Sequence, residues 1–152
     1  MKQIVVKKEA RSLELFEDGT LLKSYRVVLG SCPVGTKAIE GDGKTPEGEY
    51  YIRVKNDKSK FHLSLGLNYP SKDDAARGLR SGLIDDGILT AIENASAAAA
   101  LPPQKTPLGG EIYIHGGGTE GDWTKGCIAL ENRDMEELFE LVSKDTKVRI
   151  LP

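Results

Sequence analysis

The sequence predicts a mainly β protein of the α+β class, folded as one domain over residues 1–152. Most of its periodic segments alternate apolar and polar residues with the two-residue period of a strand, and turn residues separate them at short intervals. Only two or three segments show the spacing of a helix. The length of 152 residues suits a single hydrophobic core, and no internal repeat or interdomain linker interrupts the pattern.

Three strands are predicted before residue 31. Asp18-Gly19 lies between the second and the third and predicts a hairpin turn, because glycine adopts the positive φ that such turns require. The third strand is expected to end at Gly30. The apolar positions that define these strands are Ile4 to Val6, then Leu13 and Leu15, then Tyr25, Val27 and Leu29.

The rest of the chain predicts further strands separated by helices. Residues 35–48 are punctuated by glycine and proline and predict a loop. The segment 87–100 has helical apolar spacing and predicts an amphipathic or largely buried helix, which Pro102-Pro103 ends. The remaining predicted elements are strands over 49–54, 61–65, 111–114 and 147–151, a short helix over 73–79 after Tyr69-Pro70, and a helix with Asn132 as its N-cap.

Composition and charge exclude several classes of partner. The formal net charge is -2, and the acidic and basic residues are mixed along the chain, so no block of like charge indicates a nucleic-acid or membrane surface. No apolar run is long enough to span a bilayer. The apolar stretch near the N-terminus is too short for a secretory signal, so the chain either acts in the cytoplasm or begins after a removed targeting segment. We expect a monomer.

The stretch from Ile112 to Asn132 carries the chemistry. It is rich in glycine, which a chain tolerates where the backbone turns sharply or approaches a ligand closely. It also contains one of the two histidines, His115, and one of the two cysteines, Cys127. The other cysteine, Cys32, is interpreted as a small buried apolar residue.

His115 and Cys127 are the residue types that thiol-based acyl transfer requires. A free thiol is mostly protonated at neutral pH, so a nucleophilic cysteine needs a base or a cation nearby. A histidine at the end of a strand and a cysteine beyond a glycine-rich loop are able to meet in space, and Gly126 would let backbone N–H groups point toward an oxyanion. Such chemistry needs no cofactor and no metal. By spacing alone, a coincidental His and Cys remains an open alternative.

Several segments resemble the L,D-transpeptidase (YkuD-type) catalytic-domain family. The motif residues are Ile114-His115-Gly116 and the block Asp122-Trp123-Thr124-Lys125-Gly126-Cys127-Ile128. Upstream, residues 44–50 resemble the family's Thr-Pro-x-Gly turn, and residues 106–110 resemble its approach to the histidine strand. The likeness runs from about Val5 to Ile150.

The resemblance implies a fold, a reaction and a location. The fold is a β-sandwich-like domain with two or three helices, and the reaction acts on peptidoglycan stem peptides in the bacterial cell envelope, periplasmic or extracytoplasmic. Cys127 would attack the carbonyl that precedes a terminal D-alanine, and an amine would then accept the acyl group. His115 would act as base and later as acid. The carbonyl of Gly116 would orient its imidazole, and the N–H groups of Gly126 and Cys127 would form the oxyanion hole.

The sequence departs from the commonest form of the family motif. Lys125 and Ala129 occupy positions where many members have a histidine and an arginine, and the spacing from His115 to Cys127 is shorter. These differences concern the choice of donor and acceptor more than the nucleophile. The candidate substrate-contacting residues are Lys125, Trp123, Thr124, Tyr69 and Arg77. The alternative interpretation of Lys125 and Arg77 is that they are solvated surface charges, and that of Trp123 is that its large ring fixes the conformation of the loop.

Two alternative functions stay open at this point. A site that admits water would be an L,D-carboxypeptidase or an amidase that hydrolyses the same class of peptide link. The second alternative is a non-catalytic wall-binding module, or a metal-binding one that uses His62, His115 and Cys127, although these three lack the spacing of metal ligands.

Overall fold

The computed structural model describes residues 1–152 as a mostly-sheet fold with three helices, which confirms the predicted fold class. No helix is long and apolar enough to cross a membrane. The strands are β1 (Lys2–Lys7), β2 (Ser12–Glu17), β3 (Thr20–Arg26), β4 (Gly48–Ser59), β5 (His62–Leu67), β6 (Tyr113–His115), β7 (Ile128–Ala129) and β8 (Lys147–Leu151), and the helices are α1 (Lys72–Arg80), α2 (Asp86–Ala97) and α3 (Asn132–Leu141).

The eight strands form one sheet in the order β3-β2-β1-β8-β4-β5-β6-β7. The pairs β1–β8 and β6–β7 are parallel, and the other neighbours are antiparallel. An isolated bridge between Val28 and Ala129 joins the segment that follows β3 to β7. Because these two strands stand at opposite ends of the order, the sheet folds over and encloses the core in a sandwich-like shape.

The long strand β4 is where the sheet bends. Its first third, from Gly48 to Tyr51, pairs with β8, and the remainder, from Ile52 to Ser59, pairs with β5. The pairing with β5 shifts register after Ile52 and again after Asn56. Such irregularities bend a strand and increase its twist. The bend turns β5, β6 and β7 away from the N-terminal strands, and these three strands carry the site.

The alternation predicted from the sequence generates the core. Ile4 and Val6 of β1 and Leu13 and Leu15 of β2 are fully buried, whereas their neighbours along each strand are more exposed. Each such side chain contributes about 1.5–3 kcal/mol through burial. One cluster of 21 buried residues fills the space enclosed by the sheet and also takes in Met135, Leu138 and Val142 at α3.

Helices α1 and α2 enclose a second, smaller cluster around Ile92 and Leu108. The Ser71 hydroxyl accepts from Asp74 N at the start of α1, and the Asp74 carboxylate accepts from Ser71 N, so both form a capping box. In α2 only Ile92 is fully buried. Of the two expectations for segment 87–100, the amphipathic helix is therefore correct and the largely buried one is wrong.

Three predicted boundaries are corrected by the structure. The third strand ends at Arg26, because the chain then leaves β2 and bridges to the segment around Thr124 and Ala129. The strand predicted over 111–114 starts at Tyr113, because Glu111 has a left-handed φ of 55° that strands do not adopt. The N-cap of α3 is Glu131, not Asn132, which is the first residue of the helix.

Candidate active site

Strands β6 and β7 bring His115 and Cys127 to the same edge of the sheet. In their parallel register Ile114 faces Ile128 and His115 faces Ala129. Cys127 directly precedes β7, and residues two apart on an extended chain project to the same face. The side chains of Cys127 and His115 therefore lie on one face, a single residue pair apart.

The tautomer of His115 follows from its hydrogen bond. The ring nitrogen Nδ1 bonds to the carbonyl oxygen of Gly116. A carbonyl only accepts, so Nδ1 carries the proton and donates it, which leaves the lone pair of the neutral ring on Nε2. His115 is 2% exposed, and this burial lowers its pKa below the ordinary histidine value, against a smaller opposing effect of the Gly116 bond. At neutral pH the ring is thus an uncharged base with Nε2 available.

Two aromatic rings hold the imidazole. Phe61 stacks on His115 at 4.6 Å between ring centroids, with 21° between the planes. Trp123 meets the same ring edge-on at 5.6 Å and meets Phe61 at 5.4 Å. The indole N–H of Trp123 donates to the carbonyl of Gly118 at 3.0 Å. Trp123 therefore pins the glycine-rich loop while its exposed edge borders the solvent.

The thiol of Cys127 is held by backbone groups of the segment that leads into β6. Its sulfur accepts from Tyr113 N at 3.3 Å and donates to Glu111 O at 3.3 Å. Burial raises the pKa of Cys127 to about 11, and the Glu111 carboxylate adds to this rise. No hydrogen bond joins the sulfur to His115. In this conformation the site is a neutral thiol beside a neutral imidazole.

Thr124 shapes the turn that presents the cysteine. Its hydroxyl donates to Cys127 O at 2.7 Å and accepts from Gly126 N at 3.2 Å. Gly126 has a φ of 136°, and a Cβ there would lie 2.9 Å from Lys44 O, so glycine is required at this position. The N–H of Gly126 is engaged by Thr124 in this structure, and its role as an oxyanion donor stays a prediction. The N–H of Cys127 has no acceptor within the chain and is the open donor.

An ion pair anchors the other end of this loop. The Asp122 carboxylate accepts from Arg11 Nη2 at 2.7 Å and from Arg11 Nε at 3.1 Å, and also from Leu29 N at 3.0 Å. The bond to Arg11 is the largest cause that lowers the pKa of Asp122 below its usual value. Asp122 thus ties the segment before Cys127 to the N-terminal strands.

An open groove of about 460 Å³ lies beside Trp123. Its lining is mostly polar and consists of Gly117, Gly118, Thr119, Glu120, Trp123 and Glu131. Glu131 is fixed there because its carboxylate accepts from Thr119 N at 3.1 Å and from the Thr119 hydroxyl at 2.6 Å. A second cleft of about 440 Å³, at the ends of β4 and β8, contains neither His115 nor Cys127.

The candidate substrate-contacting residues fall into different surroundings. Trp123 and Lys125 are exposed on the loop, and Lys125 makes no ion pair. Thr124 is buried, with its hydroxyl engaged by the turn. Tyr69 is fully buried and donates to Leu108 O at 2.7 Å, whereas Arg77 donates to Asp74 at 2.7 Å. Arg77 also donates to Lys37 O at 3.4 Å in the loop before β4, so neither side chain hydrogen-bonds to the loop of Cys127.

Two further sequence interpretations are tested by the structure. Cys32, expected to be buried, is exposed, because it lies in the surface loop that precedes β4. His62 bonds through Nε2 to Glu136 at 2.7 Å on the outer surface. No group of three or more His, Cys, Asp and Glu side chains is arranged to hold a metal ion. His62, His115 and Cys127 are therefore not assembled into the metal site of the second alternative.

Sequence reasoning missed three contributors to the site. Phe61 comes from the β4–β5 turn, and nothing in its sequence neighbourhood marks it as a partner of His115. The backbone groups of Glu111 and Tyr113 that hold the sulfur carry no sequence signal. For Asp122 the sequence does offer a signal, since a carboxylate in a glycine-rich loop usually has a hydrogen-bond partner. Its partner, Arg11, is 111 residues away in the chain.

Comparison with known proteins identifies this arrangement. The family model of the YkuD L,D-transpeptidase catalytic domain matches residues 1–150. The chain belongs to the YkuD family of L,D-transpeptidase catalytic domains. The L,D-transpeptidase resemblance stated from the sequence is thereby confirmed, and it extends over nearly the whole chain.

Relatives of this L,D-transpeptidase domain come from several bacteria. The Escherichia coli (strain K12) protein named "Putative L,D-transpeptidase YafK" is 26% identical over 147 residues, which cover 92% of this chain and 46% of that protein. The crystal structure of the helical cell shape determining protein Pgp2 from Campylobacter jejuni has a TM-score of 0.68 at 26% identity and covers 98% of this chain and 46% of its own. Bd1075 of Bdellovibrio bacteriovorus shares the fold, with a TM-score of 0.65 at 21% identity, over 99% of this chain and 47% of its own.

The L,D-transpeptidase domain spans about half the length of these relatives. The matched half is the part that contains the counterparts of β1 to β8. The likeness therefore concerns the catalytic domain, and the activities of the longer proteins are a separate matter.

Proposed function

We propose that this domain is a cysteine acyltransferase of the bacterial cell envelope that acts on peptidoglycan stem peptides. The family supports a peptidoglycan-related substrate, and one relative determines helical cell shape. The observation that carries the proposal is that three groups lie at one edge of the sheet. They are the thiol of Cys127, the Nε2 atom of His115, which has no hydrogen-bond partner, and the N–H of Cys127, which has none either.

The first step forms a thioester. The sulfur of Cys127 attacks the carbonyl carbon that precedes the terminal D-alanine of a stem peptide, and its proton passes to Nε2 of His115. The carbonyl oxygen becomes an oxyanion, which the N–H of Cys127 stabilises. His115 then donates the proton to the departing amine of D-alanine, and the acyl group remains on the sulfur.

The second step transfers the acyl group. An amine gives a proton to Nε2 of His115 and attacks the thioester carbonyl, and the Cys127 sulfur leaves and takes the proton back. Water in place of the amine yields a trimmed peptide, which is the L,D-carboxypeptidase or amidase reaction. The open groove beside Trp123 is lined by neither Cys127 nor His115 and adjoins the site through Trp123, which contacts the His115 ring.

The neutral resting state has a consequence for the first step. The thiol has a pKa of about 11, whereas that of His115 is below the ordinary histidine value, so proton transfer in the resting site is uphill. The sulfur must also leave its contacts with Tyr113 and Glu111 to reach Nε2. We infer that bound substrate drives both changes, because the attacked carbonyl provides the oxyanion that the open N–H stabilises.

Mass spectrometry with muropeptides tests the proposal. Incubation with disaccharide-tetrapeptides should give an acyl adduct on the protein and release D-alanine, and Cys127→Ala should abolish both. Cys32→Ala is the matched control, since Cys32 is exposed and has no base beside it, and it should leave turnover unchanged. Cross-linked dimers would identify a transpeptidase, and trimmed monomers a hydrolase. Equal losses in the two cysteine variants would refute the assignment of Cys127.

A further inference from the structure

A buried lysine lies beside the site and takes no part in the steps above. Lys37 is 2% exposed, and its ammonium donates to Asp42 Oδ1 at 2.9 Å and to Ile39 O at 3.0 Å. Lysine is rarely buried, because removing an ammonium from water costs several kcal/mol unless it is paired and fully hydrogen-bonded. A buried ion pair of this kind contributes to the structure of the loop, to the electrostatics of the site, or to both.

The ion pair shapes the loop on one side of Cys127. The Asp42 carboxylate also accepts from Ala38 N at 2.8 Å and from Lys44 N at 3.1 Å. Lys44 in turn lies against the residue before the nucleophile, since a Cβ on Gly126 would be 2.9 Å from Lys44 O. The pair of Lys37 and Asp42 therefore fixes the backbone that supports the turn of Cys127.

The stem of Lys37 also contacts the segment on the other side. A Cβ on Gly109 would lie 2.8 Å from Cε and 3.3 Å from Nζ of Lys37, so the lysine is packed directly on that glycine. Two residues later, Glu111 O accepts the hydrogen bond from the Cys127 sulfur at 3.3 Å. Lys37 is thus in contact with the segment that holds the sulfur as well as with the loop below it.

The charges around the sulfur are few. Burial is the largest cause and raises the pKa of the Cys127 thiol. After it come the Tyr113 N–H, which lowers this pKa, the Glu111 carboxylate, which raises it, and the Lys37 ammonium, which lowers it. His115 is neutral at rest, and the Tyr113 side chain is an uncharged phenol whose pKa is raised by burial. Lys37, whose ammonium is paired with Asp42, is therefore the cation that lowers this pKa from the loop before β4.

We propose that Lys37 is a positioning residue that clamps the two segments flanking Cys127 and provides the fixed positive charge toward which the sulfur becomes anionic. This inference rests on the proposed function for its catalytic meaning, but the reactivity of the thiol is measurable without any substrate. Glu111 carries the opposing negative charge near the sulfur, and Asp42 is the counter-ion of the Lys37 ammonium.

Alkylation of Cys127 tests the charge. In a Cys32→Ala background, so that Cys127 is the one cysteine present, the rate of reaction with iodoacetamide is followed by intact mass between pH 6 and 9. Lys37→Met keeps the stem and removes the charge, and it should lower the rate at a given pH three- to tenfold, since one pKa unit is a tenfold change in thiolate. Lys37→Arg should restore most of the rate. Lys72→Met, on the exposed start of α1, is the matched control and should have no effect.

A second reagent separates charge from packing. The ratio of rates for the anionic reagent iodoacetate and the neutral reagent iodoacetamide should fall in Lys37→Met and stay near the parent value in Lys37→Arg. A loosened loop alone would change both rates by one factor and leave their ratio unaltered, which would overturn the charge role. An unchanged or faster rate in Lys37→Met would do the same.

A variant that fails to fold, and a failure of the proposed function, can each be distinguished from a failure of the role proposed for Lys37. If Lys37→Met does not fold, as judged by circular dichroism, Asp42→Asn is the second variant, because it leaves the ammonium charged but without its counter-ion. The proposal then requires an iodoacetate-to-iodoacetamide rate ratio at or above that of the parent, and a lower ratio overturns it. Normal alkylation without any turnover of muropeptides would refute the proposed function and leave the role of Lys37 intact.

Discussion

Replacing Gly126 with alanine should destabilise the domain and disturb the nucleophile. Gly126 has a φ of 136°, which L residues rarely adopt, and occupying such a region costs about 1–3 kcal/mol. The added Cβ would also lie 2.9 Å from Lys44 O and 3.1 Å from Ile112 Cδ1. Because one of these neighbours is backbone, relief requires a shift of the loop, and overpacking of this kind costs about 1–3 kcal/mol more.

A second glycine separates strain from crowding. Gly82 has a φ of 75°, and an added Cβ there would have no atom within 4 Å, so Gly82→Ala carries backbone strain of only about 1–2 kcal/mol. The gain from a less flexible unfolded chain is common to both variants. For a domain of this size, 1 kcal/mol shifts Tm by about 2–4 °C. Gly126→Ala should thus lower Tm by about 4–24 °C and Gly82→Ala by about 2–8 °C.

Calorimetry and thiol alkylation together check this reasoning. Thermal unfolding of the parent, Gly126→Ala and Gly82→Ala gives the two stability losses under identical conditions. The alkylation rate of Cys127 should change in Gly126→Ala and stay at the parent value in Gly82→Ala. Equal losses of Tm in the two variants would show that the contact with Lys44 is relaxed at no cost and would refute the packing argument.

Three further predictions follow from the site. Asp122→Asn removes the charged partner of Arg11, whose bonds are worth roughly 1.5–3 kcal/mol before discounting for the partial exposure of both side chains, so Tm should fall by about 2–6 °C at pH 7. Because folding lowers the pKa of Asp122, the stability that Asp122 contributes is fully present above the usual aspartate pKa near 4 and is lost as the pH falls below that value. The difference in Tm between parent and variant should therefore narrow at pH 3, and a difference that persists there would contradict the ion-pair account. The rate of D-alanine release should fall at low pH, because protonated His115 no longer acts as a base. Burial lowers the pKa of His115 below its ordinary value near 6.5, so an acidic limb of the pH profile at or above 6.5 would count against His115 as the base. Phe61→Ala exposes one face of the imidazole and should move the pKa of His115 up toward its ordinary value, as measured by NMR titration of the ring protons; His62, which lies on Glu136, provides the internal reference signal.

The sequence predicts the elements of the fold well where their signal is local. Alternating apolar residues locate β1, β2 and β8, because burial on one face of a sheet needs only the two-residue period. Asp18-Gly19 marks its hairpin because the turn depends on two adjacent residues. One boundary that failed depends on a distant contact: the third strand ends at Arg26 because the chain next pairs with residues about a hundred positions away.

The same contrast between local and long-range signals holds for the site. The family motif and the residue chemistry predict His115 and Cys127 as base and nucleophile from the sequence, because thiol acyl transfer needs these two residue types. The sequence does not reveal that Thr124 occupies the N–H of Gly126, since this depends on the conformation of the turn. Nor does it reveal that Phe61 covers the imidazole, because Phe61 reaches it only through the folding of the β4–β5 turn beside β6.

What the sequence by itself determined was the class of fold and the family resemblance, and it predicted the two candidate reactive side chains. All three depend on residue identity and on short-range periodicity, which are properties of the chain before it folds. Tertiary structure alone decided the resting state of the site: a neutral thiol turned toward Glu111 and Tyr113, and a buried imidazole protonated on Nδ1. It also brought Lys37 and Asp122 to the two ends of the catalytic segment. Protonation and positioning depend on burial, on hydrogen-bond partners and on charges far apart in the chain, and these exist only once the sheet has closed.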